Sequence, residues 1–405
     1  MTQSKNGPVL NWEEDFDHAD PEYNKNIHPL WETMRQKCPM HHTSRYGGTW
    51  LPLSYEMVRA IAYDTEHFTS EGIIVSQDRP IVPRPAGAAP PITSDPPFHT
   101  QARRLLLPPF SSKKIALLED DIRQLCNDQL DKLIINPDKP VIDVSRDYAR
   151  FIPLKVIVKM VGLPPEDSEL LFSFIKSIIE DVNLSPDQLM ENRNTLDSYL
   201  DIQIAEHREH PRDDLISYLI GAEVDGRPLD AQHIRGTIAL MFIAGVDTTW
   251  SMIGSTIWHL ASNPEDLNKL LQDPELMDSA IEEFLRAYAP VTMARLVTED
   301  FNFFGHELKQ DEWILVPYPA ANRDPEMFED AKSVHLDRKV NRHSSFGLGI
   351  HRCIGSNLAR LELKIATTEF IKRFPKFKLL DPKSVEWSHG QIRGPRKLEI
   401  LIQGD

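Results

Sequence analysis

The segment 343–366, HSSFGLGIHRCIGSNLARLELKIA, sets one cysteine, Cys353, among Gly347, Gly349 and Gly355. Ile354, Leu358, Leu361 and Ile365 then recur at spacings of four, three and four, the stripe of an amphipathic helix that Pro375 ends. The spacing predicts a helix over 354–374 with Cys353 at its N-terminus, where free N–H groups and the macrodipole stabilise a thiolate. The glycines permit tight turns and close approach of a flat ligand. A thiolate so placed suits a nucleophile, a zinc ligand or a haem ligand, and a lone cysteine also suits a small buried residue. His351 is a candidate base for a nucleophile, but near neighbours at a loop–helix junction usually point apart. Zinc lacks support, because neither a second cysteine nor a standard histidine spacing accompanies His343 and His351.

Other chemistry-bearing residues lie upstream. AGVDTT, residues 244–249, breaks an apolar run with a glycine and an acid. A helix-interior glycine costs about 1 kcal/mol relative to alanine, and a lone buried carboxylate costs more. Read locally, these are a tolerated glycine and a hydrogen-bonded aspartate. Glu283 and Arg286 share a helical face at i, i+3, which alone is an ordinary surface ion pair. His99 and Arg103 sit four apart after a proline-rich loop, a surface pair by the same local reading.

Together these segments resemble the cytochrome P-450 superfamily, from about residue 48 to the C-terminus and in the family's order. FGLGIHRCIG, residues 346–355, is similar to its haem-binding loop at every position of the pattern. The resemblance implies that Cys353 is the axial thiolate of haem b (iron protoporphyrin IX), in a loop formed by Phe346, Gly347 and Gly355. It implies that Ala244 and Gly245 face the haem, with Gly245 opening the central helix for dioxygen. Asp247 and Thr248 would be the acid–alcohol pair that delivers protons, with Thr249 on a different face. Glu283, Arg286 and Arg338 would form a structural trio, and His99, Arg103, Arg295 and His351 would hold the propionates.

The implied activity is that of a haem-thiolate monooxygenase that uses dioxygen and two electrons to hydroxylate or oxidatively dealkylate a small organic substrate. Peroxide-driven relatives usually lack the acid–alcohol pair, and a haem-based gas sensor needs a signalling module for which no sequence remains. The chain has no GxGxxG fingerprint and no cysteine cluster for iron–sulfur, so electrons must come from a separate ferredoxin and its NAD(P)H-dependent reductase. Arg103, Arg104, Lys113 and Lys114 in the acid-free stretch 99–114, with Arg352, Arg360 and Lys364, predict a ferredoxin-docking face. The substrate pocket is expected at Leu240, Met241, Val291, Met293 and Ile392. Arg79 and Arg84 are further candidates for an anionic or oxygenated substrate.

The elements that position these residues are mostly helical. Helical periodicity covers 115–133, 169–182, 215–220, 232–262 and 274–288, while strand-like pieces are short: 48–52, 296–297, 313–317 and 398–402. The expected fold is mainly α with a small β component, a single domain over 1–405 in which haem lies between a long central helix and the cysteine loop. The stretch 79–97 holds seven prolines but has helical sequence on both sides, which argues against a linker. The 405 residues are 41% hydrophobic and carry a net charge of −16, which disfavours nucleic acid as a partner. Residues 236–263 are apolar enough for a membrane span. Asp247, Thr248, Thr249, Ser251, Ser255, Thr256 and His259 make a buried protein helix the better reading. The polar N-terminus and three scattered cysteines predict a cytoplasmic protein without a disulfide framework.

Overall fold

A helix that is apolar on every face must be covered on every face. The computed structural model, which describes residues 7–25, 27–76, 89–133, 140–179, 186–224 and 226–403, places such a helix, Ala231–Ser262, through the main core. Asp230 starts it by accepting the His233 N–H at 2.7 Å, and Asn263-Pro264 closes it. Its length and hydropathy would allow a membrane crossing, but 72% of its most apolar window is buried inside the protein. Helices Phe151–Val161 and Ser356–Arg373 pack directly against it.

About 53% of residues are helical and 13% lie in strands, so the mainly α expectation holds. The largest sheet has the order Met40–Thr43, Thr49–Pro52, Trp313–Pro317, Thr292–Val297, Phe68–Thr69. Its single parallel pairing joins Thr49–Pro52 to Trp313–Pro317. Strand Thr292–Val297 is longer than the predicted 296–297 because Thr292 to Leu296 pair along the whole of Trp313–Pro317. A three-stranded sheet ties Val141–Asp143 to the C-terminal strand Glu399–Ile402 and to Phe377–Leu379.

Three elements depart from the periodicity. The predicted helix 115–133 is two helices, Ser112–Ala116 and Glu119–Asp131, separated by a turn at Leu117-Leu118. Phe151–Val161 went unread because its apolar residues surround the axis and hide the period. Pro186–Glu209 went unread because its buried apolar residues, Leu196, Leu200 and Ile204, form a narrow stripe on a polar helix.

A buried ionic network connects helix Met277–Tyr288 to the coil that leads to the cysteine. Arg286 donates Nε to Glu283 Oε2 and Nη2 to Oε1, both at 2.8 Å. Its remaining N–H groups reach the carbonyls of Asn322 (3.0 Å), Ala331 (2.8 Å) and Ser333 (2.7 Å). Arg338 Nε joins Glu283 Oε2 at 2.8 Å, and the His335 N–H reaches Oε1 at 2.9 Å. Burial pushes the Glu283 carboxyl upward, but these donors outweigh it and leave the group below its usual range. From Asn322 the order passes onward: its Oδ1 accepts from the Ser344 N–H at 2.7 Å, and its Nδ2 donates to Ser345 Oγ at 2.8 Å. Ser345 Oγ in turn donates to the Leu285 carbonyl at 2.6 Å. The residues immediately before the cysteine loop are thus fixed to the same helix. Glu283→Ala, which strands a buried guanidinium, is expected to cost about 3–5 kcal/mol of stability by urea unfolding. A loss below about 1 kcal/mol would show that the network does not anchor the fold.

Candidate active site

The cysteine loop is held by its own backbone. The Gly347 N–H donates to the Ser344 carbonyl at 2.8 Å and the Cys353 N–H to the Phe346 carbonyl at 2.6 Å. Gly349 has φ +66°, and a Cβ there would lie 2.0 Å from the Ala62 carbonyl oxygen, so both conformation and space require glycine. The helix begins at Ser356, not at 354, with Gly355 as its N-cap. Cys353 therefore precedes the first turn, and the backbone N–H that favours its thiolate belongs to Gly355.

The expectation of a thiolate stabilised by the helix is not met by the protein alone. Enclosure by protein pushes the Cys353 thiol up, against the Gly355 N–H and the guanidinium groups of Arg103, Arg352 and Arg360. The residue is nonetheless exposed, so a ligand can reach it.

Beside the loop lies a wall of cations and imidazoles. Helix Phe98–Leu106 brings His99 and Arg103 together, strand Thr292–Val297 supplies Arg295, and the loop supplies His351. The His99 and His351 rings meet edge-on, centroids 4.3 Å apart. His351 Nε2 lies 2.9 Å from Ser70 Oγ, a residue that no sequence pattern marked. Neither ring nitrogen of buried His99 has a hydrogen-bond partner. Arg295 is buried and donates to the Ala294 carbonyl at 2.7 Å, while Arg103 donates to the Arg352 carbonyl. Among the described residues neither arginine has an ion pair with a carboxylate. Burial and the neighbouring arginines push His99 down to about 4 and His351 to about 2. Such a wall matches an external anion, and the two propionates of haem fit it. The residues present therefore fit haem, with sulfur from Cys353 and anion contacts from His99, Arg103, Arg295 and His351.

On the central helix, Leu240, Ala244 and Thr248 follow one another at intervals of four. Ala244 is exposed in mid-helix, which marks the open face, and Thr248 Oγ1 donates to the Ala244 carbonyl at 2.7 Å. Leu240 and Met241 are buried in the main core, and Thr249 is buried on another face. Gly245 also has a packing reason that the sequence did not show. The helix is continuous there, and a Cβ at Gly245 would lie 2.9 Å from Ile157 Cδ1, so glycine permits packing on Phe151–Val161.

Asp247 is buried and bound by Arg396, whose Nη2 donates to Oδ1 and whose Nη1 donates to Ser251 Oγ at 3.0 Å. The Arg396 guanidinium also lies over the Trp250 ring at 4.2 Å. Sequence reasoning missed Arg396, because a basic residue in a terminal strand, 149 positions away, leaves no local signal.

Two of the expected pocket segments meet. Val291 and Ile392 form an antiparallel bridge, and the Thr292 N–H donates to the Gln391 carbonyl at 2.8 Å. Strand alternation puts Val291, Met293 and Arg295 on one face. Arg79 and Arg84 lie outside the described residues. On the cysteine side, Arg104, Lys113, Lys114 and Arg352 are exposed. Lys364 is paired with Asp278 at 2.7 Å, and Arg360 with Glu282 at 2.6 and 2.9 Å.

A family model described as Cytochrome P450 matches residues 53–397. The chain is 37% identical over 302 residues to a Cytochrome P450 of Bacillus subtilis (strain 168), covering 73% of each protein. It is 30% identical over 400 residues to the Polyketide biosynthesis cytochrome P450 PksS of that organism, covering 94% of this chain and 97% of the relative. The solved structure of PksS superposes with a TM-score of 0.87, covering 96% of this chain and 100% of that one, at 30% identity. Mycinamicin IV hydroxylase/epoxidase of Micromonospora griseorubida is 29% identical over 358 residues, 87% of this chain and 89% of the relative. The chain belongs to the cytochrome P450 family and is a P450 monooxygenase.

One ion pair braces the loop from outside. Arg360 stacks over Phe346 at 4.4 Å while holding Glu282, which also meets His343 Nε2 at 3.1 Å. Burial pushes Glu282 up, but the hydrogen bonds from Arg360 and His343 hold it down at about 2, against an ordinary 4.5. A depressed carboxyl contributes stability above its unfolded value and loses it as pH falls toward the folded one. The wild type should therefore lose stability relative to Glu282→Gln between about pH 4.5 and 2. Parallel melting-temperature profiles over that window would show the brace to be inactive.

Proposed function

We propose that haem bound through Cys353 makes this chain, taken as one catalytic unit over residues 1–405, a haem-thiolate monooxygenase fed by separate redox proteins. The observation that carries the reading is the pairing of an accessible cysteine in a glycine-held loop with a wall whose two arginines have no carboxylate ion pair among the described residues. When bound, haem supplies the activation of dioxygen and the insertion of one oxygen atom, the chemistry of the cofactor itself. The chain supplies orientation and protons. His99, Arg103, Arg295 and His351 would hold the carboxylates of haem, and the loop from Phe346 to Gly355 would present the sulfur of Cys353 to it.

Thr248 is the last proton-handling group before the open face. Its hydroxyl proton is committed to the Ala244 carbonyl, so its oxygen lone pairs are free to order a water there. Asp247 is the supply behind it. To pass a proton inward, its carboxylate must exchange part of its contact with Arg396 for water.

Electrons enter from a ferredoxin reduced by an NAD(P)H-dependent reductase. The exposed Arg104, Lys113, Lys114 and Arg352, interleaved with exposed Leu107 and Leu117, suit an acidic partner carrying a small apolar patch. The substrate is a small organic molecule held by the Val291–Ile392 wall and hydroxylated or oxidatively dealkylated. The name of PksS, a polyketide-biosynthesis P450, favours a polyketide-type substrate. The setting is cytoplasmic, without membrane or nucleic acid, consistent with the net charge of −16.

Two experiments test the reading. The ferrous–CO complex of the purified protein should show the red-shifted Soret band of thiolate ligation, and Cys353→His should lose it; persistence of the band would remove Cys353 as ligand. Thr248→Ala should keep haem and NADH consumption while diverting reducing equivalents to hydrogen peroxide. Asp247→Asn should slow turnover, by roughly 10²–10⁴-fold for a lost acid–base group. Full coupling in Thr248→Ala, read as product and peroxide per NADH, would mean that protons arrive by another route.

A further inference from the structure

Behind the pocket wall, helix Ile27–Lys37, the end of helix Met277–Tyr288 and the chain at Gly390–Arg393 enclose a small cavity. Its room of about 20 Å³ suits one water-sized species, and its lining includes His28, Trp31, Tyr288, Pro290, Pro319 and Arg393. Three buried nitrogen atoms here have no hydrogen-bond partner: His28 Nδ1, Arg393 Nε and, just beyond, Arg323 Nε. The Arg393 guanidinium lies flat on Trp387 at 4.1 Å, and its backbone N–H donates to the Pro290 carbonyl at 2.8 Å.

The charges do not cancel. Burial and Arg323 push Arg393 down to about 10, with only the Tyr288 phenol opposing them. Burial and both arginines push His28 well below its usual range. Arg323 feels Glu283, but the oxygens of that carboxylate already serve Arg286, Arg338, His335 and Asn341. Two half-buried guanidinium groups, each with an enclosed Nε and neither with a carboxylate ion pair among the described residues, are costly. A water would satisfy their donors and leave the charge uncompensated, whereas a monatomic anion answers both.

We propose that this recess binds one monovalent anion of chloride size, held by Arg393 and His28, with Arg323 adding positive charge from just outside the lining. Because Ile392 and Gln391 bridge to Val291 and Thr292, the bound anion pins the C-terminal wall of the pocket against the N-terminal helix. The site stands on these contacts alone and is independent of the substrate and redox assignments.

The test starts from holoenzyme in halide-free sodium gluconate, titrated with sodium chloride at constant ionic strength. The melting temperature should rise saturably by a few degrees, and Arg393→Gln should lose that response. Crystals of the wild type grown in sodium bromide should show an anomalous peak between Arg393 and His28, a readout that does not depend on the variant folding. Absence of a halide-specific rise in the wild type, or a water alone in the bromide map, would overturn the proposal. So would an equal chloride response in Arg393→Gln.

Discussion

Arg286 has five N–H donors and no water to receive them. Two go to Glu283 and three to backbone carbonyls of the coil between Asn322 and Ser333. Desolvating this pair is repaid only because no donor is left over. Much of the irregular chain that follows has little regular structure to fix it, so its shape depends on this arginine. Asn322 extends the order to Ser344 and Ser345, and the cysteine loop begins at the next residue. The position of Cys353 thus follows from a salt bridge on a helix far upstream in sequence.

The site places opposite demands on charge. Around Cys353 the protein gathers Arg103, Arg295, His99 and His351 with no carboxylate ion pair to the arginines among the described residues, and burial together with those arginines depresses both imidazoles. On the central helix it does the reverse and buries a carboxylate, Asp247, against Arg396. The first arrangement calls for an anionic ligand. The second holds a buried carboxylate in place through the guanidinium of Arg396. The C-terminal strands belong to both halves of this design, since Arg396 meets Asp247 and neighbouring Ile392 meets Val291.

Glycines illustrate how one residue type serves different ends. Gly349 is required by its positive φ and by the carbonyl of Ala62, both features of the loop itself. Gly245 lies in regular helix and owes its place to Ile157 across the interface. A sequence reading sees the same missing side chain in each case. It reads the first because the spacing of the loop is local, and misses the packing of the second because Ile157 lies on another helix.

What the sequence by itself determined is whatever short-range chemistry encodes. The cysteine loop, the acid–alcohol pair, the Glu283–Arg286 spacing and the apolar run of Ala231–Ser262 can all be read within a few turns of chain. The tertiary structure alone decided the partners. It brought Arg396 to Asp247, Ser70 to His351, Arg360 across Phe346, and His28 together with Arg323 and Arg393. It also decided that the Cys353 thiol is pushed up instead of down, because enclosure by distant segments outweighs the favourable N–H of its own loop. The physical reason is the same throughout. Periodicity and capping act between residues three or four apart, whereas desolvation and ion pairing depend on which segments the fold packs around a group.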